Sequence, residues 1–584
     1  MSDKAKWFSA ERELSVILLA AVIQGWTLYW LHTSVVDSSW PASDLPLLLG
    51  FYVTAGLVPL TLQFFAPYVR QRATWIILAS FGCMLFFFGW HVGFVFEQPA
   101  KRFLTSAHFI PFAFALLVLW LMAMPFAQAR LAEGRWRPRY QFLFSTAWTN
   151  KQTLSEAFLF TVLFWCLLFL WQQLFNLLQI PIFEELFEEP IFAYPVTAIV
   201  FGIALHLIGS IQRVTAVVLE QLLSVLKWLA LIAALILALF TVTLVVKLPG
   251  MLESGDRIIS AAWLLWLVAI MVLLVNAAYR DGSVERPYPP AIAFGLRSVI
   301  PLMVIIAATA AYALYVRIAR YGFTVERVWA SIVAAAAVLY SVGYALASRR
   351  KAPWMGGIAR VNVAVGLFLI GVIALALTPI LSPYRIAANS QYRLALAPPA
   401  SDQFRYDSPI QYLRFDAGEY GRRKLEQLAK IEDHPRAAEL SRAAAAALQR
   451  QHRHEPELPA LEPRLEEMIV HPVGRDIESP LLARIKADMS DQSVAWVYRQ
   501  SGALIGAFLD LNSDGTDEFV VISGYNAIAY TNTDGTWKRA GRFVSPVPKE
   551  DLLIALREEG LSAEAPALQN FRIGSHLFHF SREH

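Results

Sequence analysis

The sequence predicts an α-helical polytopic membrane bundle of about eleven transmembrane helices, followed by a small α+β extracytoplasmic domain with an antiparallel β-meander. Three observations carry that prediction. Of the 584 residues, 57% are hydrophobic and 13% aromatic, above the roughly 45–50% apolar content of a soluble protein. The apolar residues gather in runs long enough to cross about 30 Å of hydrocarbon, for which a helix needs about 20 residues. From about residue 383 the composition turns soluble.

The long runs fall at 13–33, 46–65, 74–96, 107–127, 157–179, 193–211, 223–246, 259–278, 297–317, 328–347 and 361–382. The preceding MSDKAKWFSAER is polar and has no small-residue cleavage site, so the first run reads as a retained anchor. With the N-terminus in the cytoplasm, the inside segments carry seventeen Lys and Arg, and the outside loops carry seven. That bias favours a cytoplasmic N-terminus, and an odd number of spans then puts the C-terminus outside. Because the basic residues fall where topology needs them, the net charge of +4 gives no support to nucleic-acid binding. Cys83 and Cys166 both lie in apolar runs, which excludes a disulfide framework in the soluble part.

Two outside loops are acidic. VVDSSWPASDL holds Asp37 and Asp44 without a base. IPIFEELFEEPIF holds Glu184, Glu185, Glu188 and Glu189 and reads as a short interfacial helix starting at Pro181, with Ile182, Phe183, Leu186 and Phe187 on its apolar side. Within the spans the polar candidates are His91, Gln172, Gln173, Asn176, His206 and Asn276, with Glu220 and Lys227 near one span start. No Asp, Glu, Lys or Arg sits centrally, which disfavours an ion-coupled pump and favours interhelical hydrogen bonds.

The domain organisation comprises a transmembrane domain over 1–382, a linker and helical soluble segment over 383–480, and an α+β domain over 481–584. A helical stretch is expected from Gly418 to about Arg453, with Leu425, Leu428 and Ile431 at three-residue steps. Strands are expected at SVAWVYR, GALIGAFLDL, EFVVISG, AIAYTNT and TWKRAGRF, then a helix around KEDLLIALREEG and a last strand near FRIGSHLFHF.

Inside the meander, DLNSDGTDEFVVI places Asp510, Asn512 and Asp514 at alternate positions, then Gly515, Thr516 and Glu518. Hard oxygen ligands at positions 1, 3 and 5 are what Ca²⁺ requires, and Glu518 at position 9 completes the set. The twelfth position is Val521 and a strand comes next, so the loop departs from a full EF-hand. A plain β-turn selects the same residue types. The loop resembles those of FG-GAP repeats, over one repeat only, which is too little for a propeller.

RIARYGFTVERVW, Arg317 to Trp329, and YDSPIQYLRFDAGEYGRRKLEQL, Tyr406 to Leu428, resemble the bacterial membrane family named domain of unknown function 4153. The resemblance would span most of residues 10–450, and it implies a bacterial inner-membrane protein without an assigned activity. Read physically, Tyr321 is an interfacial anchor, Gly322 permits a tight turn, Thr324 caps the next helix, and Glu326 and Arg327 occupy its first turn. Arg317, Arg320 and Arg327 suit either a capped turn or an anionic headgroup.

The favoured functional reading is a non-enzymatic envelope protein whose contacts are the lipid bilayer and an envelope protein partner, displaying a calcium-stabilised outer domain for sensing, assembly or interaction. Two alternatives stand beside it. One is a multi-span lipid-linked glycosyltransferase in which Asp37 and Asp44 act as metal ligand and base. The other is a carrier of an uncharged or lipid substrate. Walker A, GxGxxG, HExxH and GxSxG motifs are all missing.

Overall fold

The computed structural model describes residues 3–96, 104, 108–136, 138–210, 212–253, 260–284, 286–350, 354–397, 408–450, 453, 465, 468–472, 474–491, 494, 498, 504–523, 526–533, 535–544, 571–573 and 576–578. By contacts the chain divides into two compact units, Met1–Leu448 and Gln449–His584.

The first unit is helical. Its elements are α1 (Asp3–Val36), α2 (Leu45–Phe65), α3 (Arg72–Val95), α4 (Phe109–Glu133), α5 (Tyr140–Leu177), α6 (Ile182–Glu188), α7 (Pro190–Ser210), α8 (Gln212–Glu253), α9 (Ala261–Tyr279), α10 (Pro290–Val299), α11 (Leu302–Tyr321), α12 (Val325–Ser348), α13 (Ile358–Ala376), α14 (Pro383–Leu396), α15 (Pro409–Phe415), α16 (Gly418–Ala429) and α17 (Ala437–Gln449). Eleven segments among the described residues are long and apolar enough to cross a membrane, and each matches one of the runs in the sequence. One of them joins α10 and α11. Pro301 stands at that join, where its missing N–H interrupts the helix.

Packing explains the spacing of small residues. Gly89 and Gly93 form a small-xxx-small stripe on α3, and a methyl group at either would overlap the α2 backbone at Leu49 or Pro46. In lipid no hydrophobic force drives helices together, so close backbone approach and dispersion must do so. One apolar core gathers α8 to α13 around Leu237, Val268, Met271, Met303 and Ile306; another gathers α1 to α4 with α13 around Leu48, Leu49, Leu85 and Leu119.

The short helix expected after Pro181 is present as α6, with Glu184 and Glu185 in its first turn. Phe187 is buried, stacking on Phe192 at 5.6 Å, while Ile182 and Leu186 are exposed. The single helix expected over 418–453 is instead two. Pro435 lies between α16 and α17, and it cannot supply the donor that a continuous helix needs. Leu425 and Leu428 are fully buried, whereas Ile431 falls after the helix end.

The second unit holds β1 (Ile469–His471), α18 (Ser479–Ser490), β2 (Ile505–Leu509), β3 (Glu518–Ser523), β4 (Asn526–Thr533), β5 (Thr536–Val544), β6 (Phe571–Ile573) and β7 (His576–Phe578). The first five strands form one sheet in sequence order. The sheet is mixed: β2 to β5 pair antiparallel as expected, but β1 adds to β2 in parallel. SVAWVYR does not supply the edge. Val494 lies in a turn and Tyr498 is helical, and the rest of that run lies outside the described residues. In place of one last strand, β6 and β7 pair antiparallel, and KEDLLIALREEG lies outside the described residues. Leu481 and Ile485 of α18 pack on Phe508, Phe519, Val521 and Ile528 of the sheet, the alternate side chains that one face of a pleated sheet presents.

Candidate functional site

Three polar constellations stand out from the apolar packing. The first joins the α11–α12 turn to the helices that come after the last span. The α11–α12 turn has Gly322 at φ +69°, and the Thr324 hydroxyl accepts the Arg327 N–H at 3.3 Å, so the expected turn and cap are both formed. Arg327 donates to the carbonyls of Tyr321 (3.1 Å) and Gly322 (2.7 Å). From α14, Gln391 donates to the carbonyls of Tyr321 and Phe323, and Ser390 accepts the Phe323 N–H at 2.8 Å. From α15, the Tyr412 hydroxyl accepts the Val325 N–H at 2.8 Å. Every bond reaches backbone that a helix end leaves unpaired, so α14 and α15 act as a cap on this turn.

The same cap reaches α3 and α13. His91 is buried, with Nδ1 2.9 Å from the Leu377 carbonyl and Nε2 3.3 Å from the Tyr420 hydroxyl of α16. Phe96 packs edge-on against Tyr384 of α14 at 5.0 Å. Gly418 sits at φ +56° against the Val95 backbone. Beside it the Glu419 carboxylate, 4% exposed, accepts from Arg422 and Arg423, each at 2.7 Å.

Burial raises the affinity of Glu419 for a proton, but hydrogen bonds from Arg422 and Arg423 and their charges outweigh it and hold the group below the ordinary glutamate value. A carboxyl depressed on folding stabilises the fold above its unfolded pKa and loses that contribution as pH falls through the folded value. Acidification below the ordinary carboxylate range should therefore loosen α16. Glu419→Gln should cost about 2 kcal/mol at neutral pH and flatten the acid limb of thermal stability, measured by melting the purified protein from pH 7 to pH 3.

The second constellation lies within the bundle. Asn362 of α13 donates to the Tyr140 hydroxyl (2.7 Å) and to the side-chain amide oxygen of Asn276 (2.6 Å), and accepts from the Tyr344 hydroxyl (2.6 Å). Four helices, α5, α9, α12 and α13, are thereby tied at one node. Tyr344 is fully buried. Of these residues only Asn276 stands among the polar candidates of the sequence. A lone amide in the run 361–382 was the available signal for Asn362, whereas the tyrosines were lost among 20 of their kind.

The remaining intramembrane candidates do not converge. Asn176 donates to Glu184 at 2.8 Å, Glu220 pairs with Arg280 at 3.5 Å, and Lys227 lies over the rings of Trp228 and Tyr288. Gln172 is buried in α5, Gln173 is exposed beside it, and His206 is half-buried in α7. Asp37 and Asp44 are exposed in the α1–α2 loop. Asp44 is the N-cap of α2 and accepts the Leu47 N–H at 3.1 Å, while the Asp37 N–H closes the last turn of α1 on Thr33.

The third constellation is the β2–β3 loop. The predicted ligands Asp510, Asn512, Asp514, Thr516 and Glu518 are linked by hydrogen bonds within one loop, with Ser513 and Gly515 at positive φ. Asp510 accepts the N–H groups of Asp514 and Gly515 at 3.2 and 3.0 Å, and Glu518 accepts the Leu511 N–H at 2.8 Å. The Asn512 amide nitrogen sits between Asp514 (2.8 Å) and Glu518 (2.9 Å). Hydrogen bonds from the Thr516 hydroxyl, then the Thr516 N–H, then Asn512 keep the Asp514 carboxyl below its ordinary range. The side chains offer oxygen donors, the kind that Ca²⁺ takes, and the Asn512 amide nitrogen occupies the space between the two carboxylates. Among the described residues, no three His, Cys, Asp or Glu converge in a metal-binding arrangement. A metal would have to displace that amide.

In the same unit Asp488, 1% exposed, accepts from Arg484 and from the Tyr530 hydroxyl at 3.0 Å, and Tyr530 bonds Tyr498. Burial pushes the Tyr498 phenol up to about 12. This network was not legible in the sequence because Tyr498, Asp488 and Tyr530 meet only through the fold. Comparison with family models, curated proteins and solved structures finds no match to the chain.

Proposed function

We propose that the chain is a multi-pass bacterial inner-membrane protein of the domain of unknown function 4153 type, with a cytoplasmic N-terminus, that presents the region after its last span outside the cytoplasm. In this reading it is a non-enzymatic sensing, assembly or interaction protein, and its counterpart is an envelope protein. The carrying observation is the cap: α14, α15 and α16 bond to the α11–α12 turn, to the end of α3 and to the end of α13. These are all ends that an eleven-span chain with an inside N-terminus presents on the outside, and the joint ties the first residues after the last span to the bundle. Protease added to spheroplasts should cleave the region after residue 448 while sparing a cytoplasmic control. An intact tail, with a periplasmic control cleaved, would remove this reading.

The β2–β3 loop is assigned a structural Ca²⁺ in the same proposal, held by Asp510, Asn512, Asp514, Thr516 and Glu518. Calcium cross-links the loop, and its supply outside the cytoplasm suits a weak site. At a calcium concentration 100 times Kd the bound form gains about 2.7 kcal/mol. The full-length protein should therefore show a higher melting temperature for the second unit in calcium than in chelator, and Asp514→Ala should abolish the difference. Equal melting of the wild type in both would leave only the metal-free turn.

A further inference from the structure

Between α1 and α7 lies an open cavity of about 400 Å³, a size typical of ligand sites. Gln24 and Leu28 line it from α1, and Ala193, Tyr194, Thr197 and Phe201 are among its lining residues on α7. Its polar groups are engaged elsewhere. Gln24 donates to the Gly56 carbonyl at 2.9 Å, and the Tyr194 hydroxyl pairs with His32 at 3.1 Å. The Thr197 hydroxyl accepts from Trp165 at 3.0 Å and donates to the Ala193 carbonyl at 2.6 Å. The surface left for a ligand is mainly hydrocarbon, which disfavours a polar solute.

Length and charge narrow the occupant further. Ala193 to Phe201 covers about 12 Å of helix, most of one leaflet's half of a roughly 30 Å hydrocarbon core. The α7 end of the groove adjoins α6, where Glu185, Glu188 and Glu189 are exposed, and the α1–α2 loop on the same side adds Asp37 and Asp44. Neither residues 13–69 nor residues 152–212 contain a single Lys or Arg. An anionic headgroup would be repelled there and a cationic amine attracted.

We propose that this groove holds one acyl chain of an aminophospholipid, with the ammonium group at the level of the α6 glutamates. The inference uses α1 and α7 as membrane spans and does not depend on which side the C-terminus occupies. The test is native mass spectrometry of the full chain in mild detergent, titrated with palmitoyl-oleoyl phosphatidylethanolamine or the matching phosphatidylglycerol. The wild type should retain one ethanolamine lipid with about fivefold preference over the glycerol lipid, corresponding to about 1 kcal/mol. Ala198→Phe, which fills the groove from α7, should lose that adduct, while Leu163→Phe on the exposed face of α5 should keep it. The double variant Glu188→Gln, Glu189→Gln should narrow the preference but keep the adduct. Equal retention of both lipids by the wild type would overturn the headgroup assignment, and this comparison needs no variant to fold. An adduct undiminished in Ala198→Phe would overturn the groove.

Discussion

Gly418→Val should release α16 from the end of α3. The backbone at Gly418 has φ +56°, a region that a β-branched residue enters only under strain, and an added Cβ would overlap the Val95 carbonyl and side chain. Strain of about 1–3 kcal/mol and overpacking of similar size act together, because both the turn and its neighbour are fixed by contacts. The expected result is a loss of about 3 kcal/mol or more, with Tyr420 separated from His91. Limited proteolysis should then cut within residues 397–418 at rates well above wild type, while the eleven-span bundle stays intact. Unchanged proteolysis would mean that the cap does not depend on this contact.

Asn362→Leu should have the second largest effect. The change leaves Tyr140, Asn276 and Tyr344 without the partner that joins them at this part-buried node. Interhelical hydrogen bonds in membranes are individually small, about 0.6 kcal/mol on average, so three lost together give about 2 kcal/mol. Tyr344→Phe removes only one of them and should cost about a third as much. Thermal melting of the detergent-purified variants checks the ratio. Equal effects of the two would show that the node does not act through Asn362.

The architecture of the first unit was legible because span length is dictated by the bilayer. Every long apolar run falls on a candidate span, although the helix for 157–179 starts at Tyr140 and the run 297–317 is broken at Pro301, and the α6 and α12 starts were readable from Pro181 and Thr324. Relations between distant segments lay beyond reach. His91 was visible as a lone histidine, but its partners Leu377 and Tyr420 lie 286 and 329 residues away. The split of the 418–453 helix was signalled by Pro435, a signal masked by the apolar steps around it. β1 was missed because a three-residue strand carries no alternation long enough to detect. At the β2–β3 loop the sequence supplied the residues and the fold supplied their closure, since both calcium ligation and a hydrogen-bonded turn draw on the same oxygens.

The proposed topology puts the cap on the opposite face of the membrane from the N-terminus. Single cysteines in a chain with Cys83 and Cys166 replaced by Ala test this directly, with a membrane-impermeant maleimide applied to spheroplasts before and after lysis. Glu326→Cys beside the cap and Ser513→Cys in the β2–β3 loop should label in intact spheroplasts, and Ser283→Cys after α9 should label only on lysis. Labelling of Ser283→Cys in intact spheroplasts, with Glu326→Cys and Ser513→Cys protected until lysis, would contradict it.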